Sequence, residues 1–124
     1  MAHLPLLWKF RLLRAVGGSG RLQNRKLLDA WQRAEGGTAS FNPLNTTEPW
    51  AGATDYNSVG VKNYASGSDG IRATAATLLN GHYPGIVRDL RSTDPSNTAL
   101  TMVARNRAEI SVWGTNPDTI IELL

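Results

Sequence analysis

The sequence predicts a mainly α domain with a loop-rich or short β-hairpin insertion between helices two and three. Three observations lead to that class. Apolar residues recur at helical spacing from Leu6 to Ala34. From Thr38 to Tyr64 the period disappears and Asn, Thr, Gly and Pro crowd together. Beyond Ser68 the helical period returns, punctuated by capping residues and glycines. The 124 residues suit one domain, 1–124, long enough to bury a continuous core without metal or disulfide support. An apolar fraction of 41% with 19% charged residues is globular and argues against disorder.

The first helix is expected in LLWKFRLLRAV, where Leu6, Phe10 and Leu13 face inward, Lys9, Arg11 and Arg14 interleave, and Gly17-Gly18 stop the run. The second spans NRKLLDAWQRAE, with Asn24 as N-cap, Leu27, Leu28, Trp31 and Ala34 as the apolar stripe, and Gly36-Gly37 at the left-handed C-terminal cap. In the insertion only VGV resembles strand. A stretch of that length without regular structure is uncommon in a small domain and is often functional. SDGIRATAATLLNG predicts a third helix: Ser68 caps, Asp69 suits the positive helix start, Ile71, Ala75, Leu78 and Leu79 point inward, and Gly81 terminates. A short helix in PGIVRDLRS follows. DPSNTALTMVARNRAEI opens with Asp94 and Pro95 at cap and first-turn positions and carries Leu100, Val103 and Ala104 on one side. NPDTIIELL repeats the cap-proline pattern with Asn116 and Pro117. No repeat or low-complexity tract interrupts the chain.

Several function classes drop out. Without cysteine there is no disulfide framework, thiolate catalysis or Cys-ligated zinc. His3 and His82 are too far apart to suggest a metal site, and His82 in NGHYPG reads as a loop residue. No cofactor is implied. The apolar run near the start lacks a basic lead and is broken by Lys9 and Arg11, so neither a Sec signal nor a membrane span is expected, and any export takes another route. Charge is uneven: residues 1–34 hold seven basic side chains against Asp29 alone, a local charge of +6, within a chain whose net charge is +3. A basic face suits an anionic partner such as a bacterial wall, a phosphate backbone or a lipid surface, but a solvated helix face is the more usual reason for such a charge run.

The candidate for chemistry is Glu35, the one carboxylate at the end of the second helix. On a helical period it lies about 20° from Leu28 and about 40° from Trp31, close to the core-facing stripe. Partial desolvation there raises a carboxyl pKa, which suits a general acid for glycosidic-bond cleavage. Arg33, about 160° away around the helix, and Arg25 would lower it only by reaching the carboxylate. A carboxylate at a helix C-terminus is mildly disfavoured by the macrodipole, so a residue chosen for stability would more often be basic. The alternative is a solvent-facing Glu at a frayed helix end.

The ordered elements AEGG, FNPLNTT, YNSVGVKNY and GIRATAATLLNGHYPGIV resemble the lysozyme-like superfamily, in particular small bacteriophage muralytic domains and their relatives among glucosaminidases and lytic transglycosylases. The resemblance spans roughly Leu27 to Gly114. It implies a lysozyme-like fold with Glu35 as the catalytic acid, a groove element made by Asn57, Ser58, Gly60, Val61 and Lys62, and Tyr64 as the aromatic that follows. SVWGTN is similar to the segment closing such domains. One departure is Gly36, where the transglycosylase pattern has Ser after the catalytic Glu.

Sugar recognition gives the insertion a physical rationale, since pyranose rings present apolar faces edged by hydroxyls. Trp50, Tyr56 and Tyr64 supply aromatic faces, and Asn42, Asn45, Asn57, Asn63, Thr46 and Thr47 supply polar groups. The same residues also serve turns for backbone reasons alone. Gly60 permits either a bend or close approach of a sugar. Asp55 reads as a second catalytic carboxylate, general base or ion stabiliser, or as a turn-capping Asp. Without it, Glu35 would act alone, with the substrate's N-acetyl group or C6 hydroxyl as nucleophile. The resulting expectation is a peptidoglycan hydrolase or lytic transglycosylase encoded by a bacteriophage and acting at the bacterial wall, released through a holin or carried on the virion. Its partners are glycan strands and, on the virion, other phage proteins. Nucleic-acid binding would leave the aromatic-and-amide insertion without a role. A non-catalytic tail or wall-binding module of the same fold is the alternative.

Overall fold

The computed structural model describes residues 7–124. Among them are seven helices and one two-stranded antiparallel sheet: α1 (Trp8–Ala15), α2 (Leu22–Glu35), β1 (Thr54–Asp55), β2 (Lys62–Asn63), α3 (Gly67–Leu78), α4 (Pro84–Arg91), α5 (Ala99–Arg105), α6 (Arg107–Trp113) and α7 (Pro117–Leu123). The expected mainly α class with a short hairpin between the second and third helices is what the chain forms. The pairing is brief, Thr54 opposite Asn63 and Asp55 opposite Lys62.

Helix α2 is the central element, packed against α1, α5 and α7, while α1 also lies on α3. Leu27, Leu28, Ala30 and Trp31 supply its buried face and Ala34 packs at the edge. Its end follows from sequence: Gly36 takes a left-handed φ of 56° and its N–H bonds to the Gln32 carbonyl, a conformation a glycine adopts without steric cost. Its start differs from expectation. Asn24 is not the N-cap but lies inside the helix, fully buried, its amide donating to the Ser19 and Leu90 carbonyls at 3.0 and 2.9 Å. A long-range pairing to the end of α4 uses the side chain that the local pattern assigned to the cap.

On α1 the inward set is Trp8, Leu12 and Leu13, continued by Val16. Phe10 points out instead: it lies about 160° around the helix from Trp8 and from Leu12, both of which are buried. The Phe10 ring is partly covered by the Arg25 guanidinium, 4.9 Å from its centroid. Leu6 lies outside the described residues.

Helix α3 is capped by Ser66, whose hydroxyl accepts from Asp69 N at 3.1 Å, two residues ahead of the expected Ser68. Ile71, Ala75 and Leu78 face the core as expected, whereas Leu79 is exposed at the C-cap, past the last buried turn. Gly81 then turns the chain with φ 97°. The expected start at Asp94-Pro95 is also displaced: these form a turn, and α5 begins at Ala99 behind a Thr98 cap that accepts from Thr101 N. The buried face of α5 is Ala99, Met102 and Val103, and Leu100 and Ala104 lie outside. Asn106, whose amide donates to Asp89 Oδ2 at 2.6 Å and Met102 O at 2.7 Å, breaks the run into α5 and α6. Asn116 and Pro117 open α7 as expected.

The approach of α3 to the insertion depends on Gly70. A Cβ there would sit 1.7 Å from the Phe41 carbonyl oxygen. Gly70→Ala is therefore expected to destabilise the domain by about 1–3 kcal/mol. That reverses the roughly 1 kcal/mol that alanine ordinarily contributes in a helix interior, and urea denaturation reads the difference.

Candidate active site

Glu35 is half-buried at the last position of α2. Its Oε1 accepts a hydrogen bond from Thr115 Oγ1 and its Oε2 accepts from Asn45 Nδ2 at 3.0 Å. The two donors come from separate segments of the chain. Asn45 belongs to the FNPLNTT loop and holds a left-handed φ of 57°, tolerated by Asn better than by most residues. Thr115 follows Gly114, whose φ of 104° ends α6 and lets the Thr115 N–H reach back to the Ile110 carbonyl at 3.2 Å.

The direction of the Thr115 contact is fixed by its other neighbour. Trp31 Nε1, a donor only, lies 2.9 Å from Thr115 Oγ1, so the hydroxyl accepts from the indole and turns its own hydrogen to Glu35. Trp31 is fully buried, stacked edge-on to Trp113 at 5.1 Å, and Trp113 contacts Tyr83 in the same manner at 5.2 Å. Trp113 Nε1 donates to the Leu44 carbonyl at 2.8 Å. An aromatic floor thereby locks the 111–116 segment, the end of α2 and the 41–46 loop against one another. Thr115→Val keeps the shape but strands the buried indole N–H, at an expected cost of about 1–3 kcal/mol; Thr115→Ser restores most of it, as thermal denaturation of the two variants would register.

Neither arginine of concern reaches Glu35. Arg33 Nη1 turns to the Leu123 carbonyl and Asp29, and Arg25 Nε donates to the Gly20 carbonyl at 2.8 Å. Gly37 matters sterically: a Cβ on it would fall 2.1 Å from Asn45 Oδ1. That oxygen is buried without a hydrogen-bond partner among the described residues, an orientation imposed because the acceptor-only carboxylate demands the amide nitrogen.

The insertion is stitched beside this end of α2. Thr38 Oγ1 hydrogen-bonds the Tyr56 hydroxyl, Ser40 N donates to Asn63 Oδ1 at 2.9 Å, and Tyr64 N donates to Ser40 O at 2.9 Å. Residues just past Glu35 thus lie along the hairpin. Among the described residues no hydrogen bond joins Glu35 to Asp55, Asn57, Ser58 or Lys62. Asp55 is exposed and paired with Lys62 Nζ at 2.5 Å across the strands. Asn57 Oδ1 accepts from Val61 N at 3.0 Å, and Gly60 adopts φ 94° in the same turn, so VGV is a turn with Val59 outside and Val61 inside rather than strand. Ser58 is exposed, Tyr56 is 43% exposed and Trp50 is half-buried.

Several polar candidates serve the loop itself. Asn42 is buried, donating to the Thr46 and Lys62 carbonyls at 2.9 and 2.8 Å and accepting from Thr46 N. Thr46 is buried against Thr77, 2.5 Å between hydroxyls. Tyr64 is buried too, so its ring offers no open face, and its hydroxyl donates to the Glu48 carbonyl at 2.7 Å. Burial, and secondarily the Glu48 charge, pushes that hydroxyl's pKa upward. A group with a folded pKa above its unfolded value of about 10 favours the fold below that pH and loses this contribution as pH rises past it. Wild type should therefore lose stability on alkaline titration more steeply than Tyr64→Phe.

Thr115, Trp31 Nε1 and Trp113 escaped sequence reasoning because their contacts to the Glu35 region span about eighty residues, as in the Thr115–Glu35 pair. The signals there were Gly114, directly before Thr115, and the likeness of SVWGTN as a whole to a closing segment, neither of which assigns a partner to Trp113 or Thr115. No family model, no curated protein and no solved structure matches this chain.

Proposed function

We propose that this protein is a lysozyme-like, phage-type muralytic enzyme that cleaves peptidoglycan glycan strands, with Glu35 as general acid. The observation that carries the reading is the two-sided hold on the Glu35 carboxylate by Asn45 and Thr115 at the helix end beside the hairpin. A carboxyl group has about four lone-pair positions on its two oxygens; the protein's donors engage two of them, which leaves a position for the proton that a general acid carries to the substrate oxygen. Such a group, oriented in advance and half out of water, protonates the bridging oxygen of the β-1,4 bond between N-acetylmuramic acid and N-acetylglucosamine, then takes a proton from the attacking hydroxyl. The attacker is water in a hydrolase, or the C6 hydroxyl in a transglycosylase. Tyr56, Trp50, Asn57 and Ser58, at the surface of the insertion, are the groups for contact with sugar, and Asp55 is the second carboxylate for charge stabilisation.

The non-catalytic reading also has an observation behind it. The same two hydrogen bonds make Glu35 a clasp joining α2, the 41–46 loop and the 111–116 segment. Mass spectrometry of purified peptidoglycan after incubation with the protein separates the two. Reducing ends indicate a hydrolase and 1,6-anhydro ends a transglycosylase; intact glycan with protein retained on the sediment removes the enzyme and leaves a wall-binding module.

A further inference from the structure

Helices α1 and α3 enclose a cleft of about 400 Å³ lined by Arg11, Arg14, Ala15, Ser68, Ile71 and Arg72. Three of its six lining residues are arginines. Among the described residues none of the three takes part in an ion pair; the pairs that do form engage Lys9, Arg33, Lys62, Arg88, Arg105 and Arg107. Asp69, next to Ser68 in the first turn of α3, is the nearest acid along the chain and is likewise unpaired.

Like charges gathered on two packed helices repel, and a surface shaped by stability alone would intersperse acids. Arg14 has a partial structural reason, since it lies in the last turn of α1 where the helix dipole favours a cation. Arg91 serves that same end by donating from Nε to the Val16 carbonyl at 2.8 Å. Arg11 and Arg72 have no such role. Their planar guanidinium donors suit the tetrahedral oxygens of a phosphate better than a point charge would, and the Ser68 hydroxyl adds a neutral donor at the rim.

We propose that the cleft between α1 and α3 binds the phosphodiester groups of an anionic wall glycopolymer and so holds the domain on the surface it acts upon. The choice of a wall polymer rests on the muralytic reading; the anion chemistry rests on the cleft alone. A single-stranded nucleic acid is the poorer fit, because the lining carries no aromatic ring on which a base could stack.

The test uses the full chain and poly(glycerol phosphate) of defined length, with affinity measured across a salt series. Arg11→Gln/Arg14→Gln/Arg72→Gln is compared with a charge-matched control at distant sites, Lys26→Gln/Arg33→Gln/Arg107→Gln, both checked for folding by circular dichroism. The cleft variant should bind about tenfold or more weakly, and its log–log salt slope should flatten by about two, given roughly 0.7–0.9 per phosphate contact. The control should keep the wild-type slope. Equal weakening of both variants reduces the effect to net charge and overturns the site. Tighter binding of wild type to a DNA duplex than to the polymer overturns the ligand assignment. Glu35→Gln should bind the polymer as wild type does; polymer binding without any glycan cleavage by wild type would retain the cleft and discard the muralytic reading.

Discussion

Glu35→Gln should lower peptidoglycan cleavage by about 10²–10⁴-fold, the usual contribution of a positioned general acid, while leaving the domain folded. The reason the fold survives lies in the two neighbours of the carboxylate. Gln can turn its carbonyl oxygen to Asn45 Nδ2 and its amide nitrogen to Thr115 Oγ1. The hydroxyl already accepts from Trp31 Nε1 and has a second lone pair to receive the amide. Both contacts therefore persist with one reversed in direction, and the stability change should stay within about 1 kcal/mol. Turbidity loss of cell walls and the thermal midpoint are measured on the same preparation. A fall in activity at unchanged midpoint assigns Glu35 to chemistry. Activity within about twofold of wild type, far below the usual general-acid effect, removes the proposed acid; a collapse in midpoint instead makes the residue a structural clasp.

Trp31→Ala is expected to have the largest effect on stability, about 3–5 kcal/mol. The side chain is fully buried in the middle of α2, packs edge-on against Trp113, and spends its N–H on Thr115. Truncation leaves a cavity under the end of α2, frees the Thr115 hydroxyl to rotate away from Glu35, and removes one partner of the aromatic floor. Urea denaturation should show a lower midpoint with the slope unchanged, because the surface exposed on unfolding scarcely differs. Trp31→Phe separates the two components: it keeps most of the packing and loses only the hydrogen bond, so it should fall well short of alanine. Equal losses for both variants would mean that the indole N–H, not the ring volume, holds the site together.

Both expectations concern a site of which the sequence displayed one half. Glu35 and its position at the helix end were legible, since the Leu27, Leu28 and Trp31 stripe and Gly36 are local signals. Its orientation was not, because Asn45 reads as one more turn residue until the loop folds back on the helix. The insertion shows the same division. Its composition announced an irregular insertion, loop or short hairpin, without placing the paired residues, and Asn42, Thr46 and Tyr64, read as groups for a sugar, are spent on the loop's own backbone and burial. Buried loop carbonyls and N–H groups need partners, and Asn and Thr side chains within a few residues are the closest available.

The cap expected at Asn24 failed because a distant partner competed. Asn24 has the right chemistry for an N-cap, yet the Leu90 carbonyl, 66 positions along the chain, recruits it into the core. Phe10 has the right spacing to Leu6 and Leu13, yet the buried face of α1 is centred on Trp8, Leu12 and Val16, about 160° from Phe10 for the first two. At Gly36, Gly81 and Asn116 local chemistry and final structure agree, whereas the caps expected at Ser68 and Asp94 pass to Ser66 and Thr98, a few residues away.

The sequence by itself determined the mainly α class, the place of the irregular insertion between the second and third helices, the central helix with its buried stripe and the placement of one acid at that helix's end. These depend on period, capping and turn chemistry, interactions within a few residues of one another. Only the tertiary structure decided which atoms meet that acid and which arginines gather between α1 and α3. Hydrogen-bond direction and charge clustering are set by side chains tens of residues apart, and no local pattern encodes the distance between them.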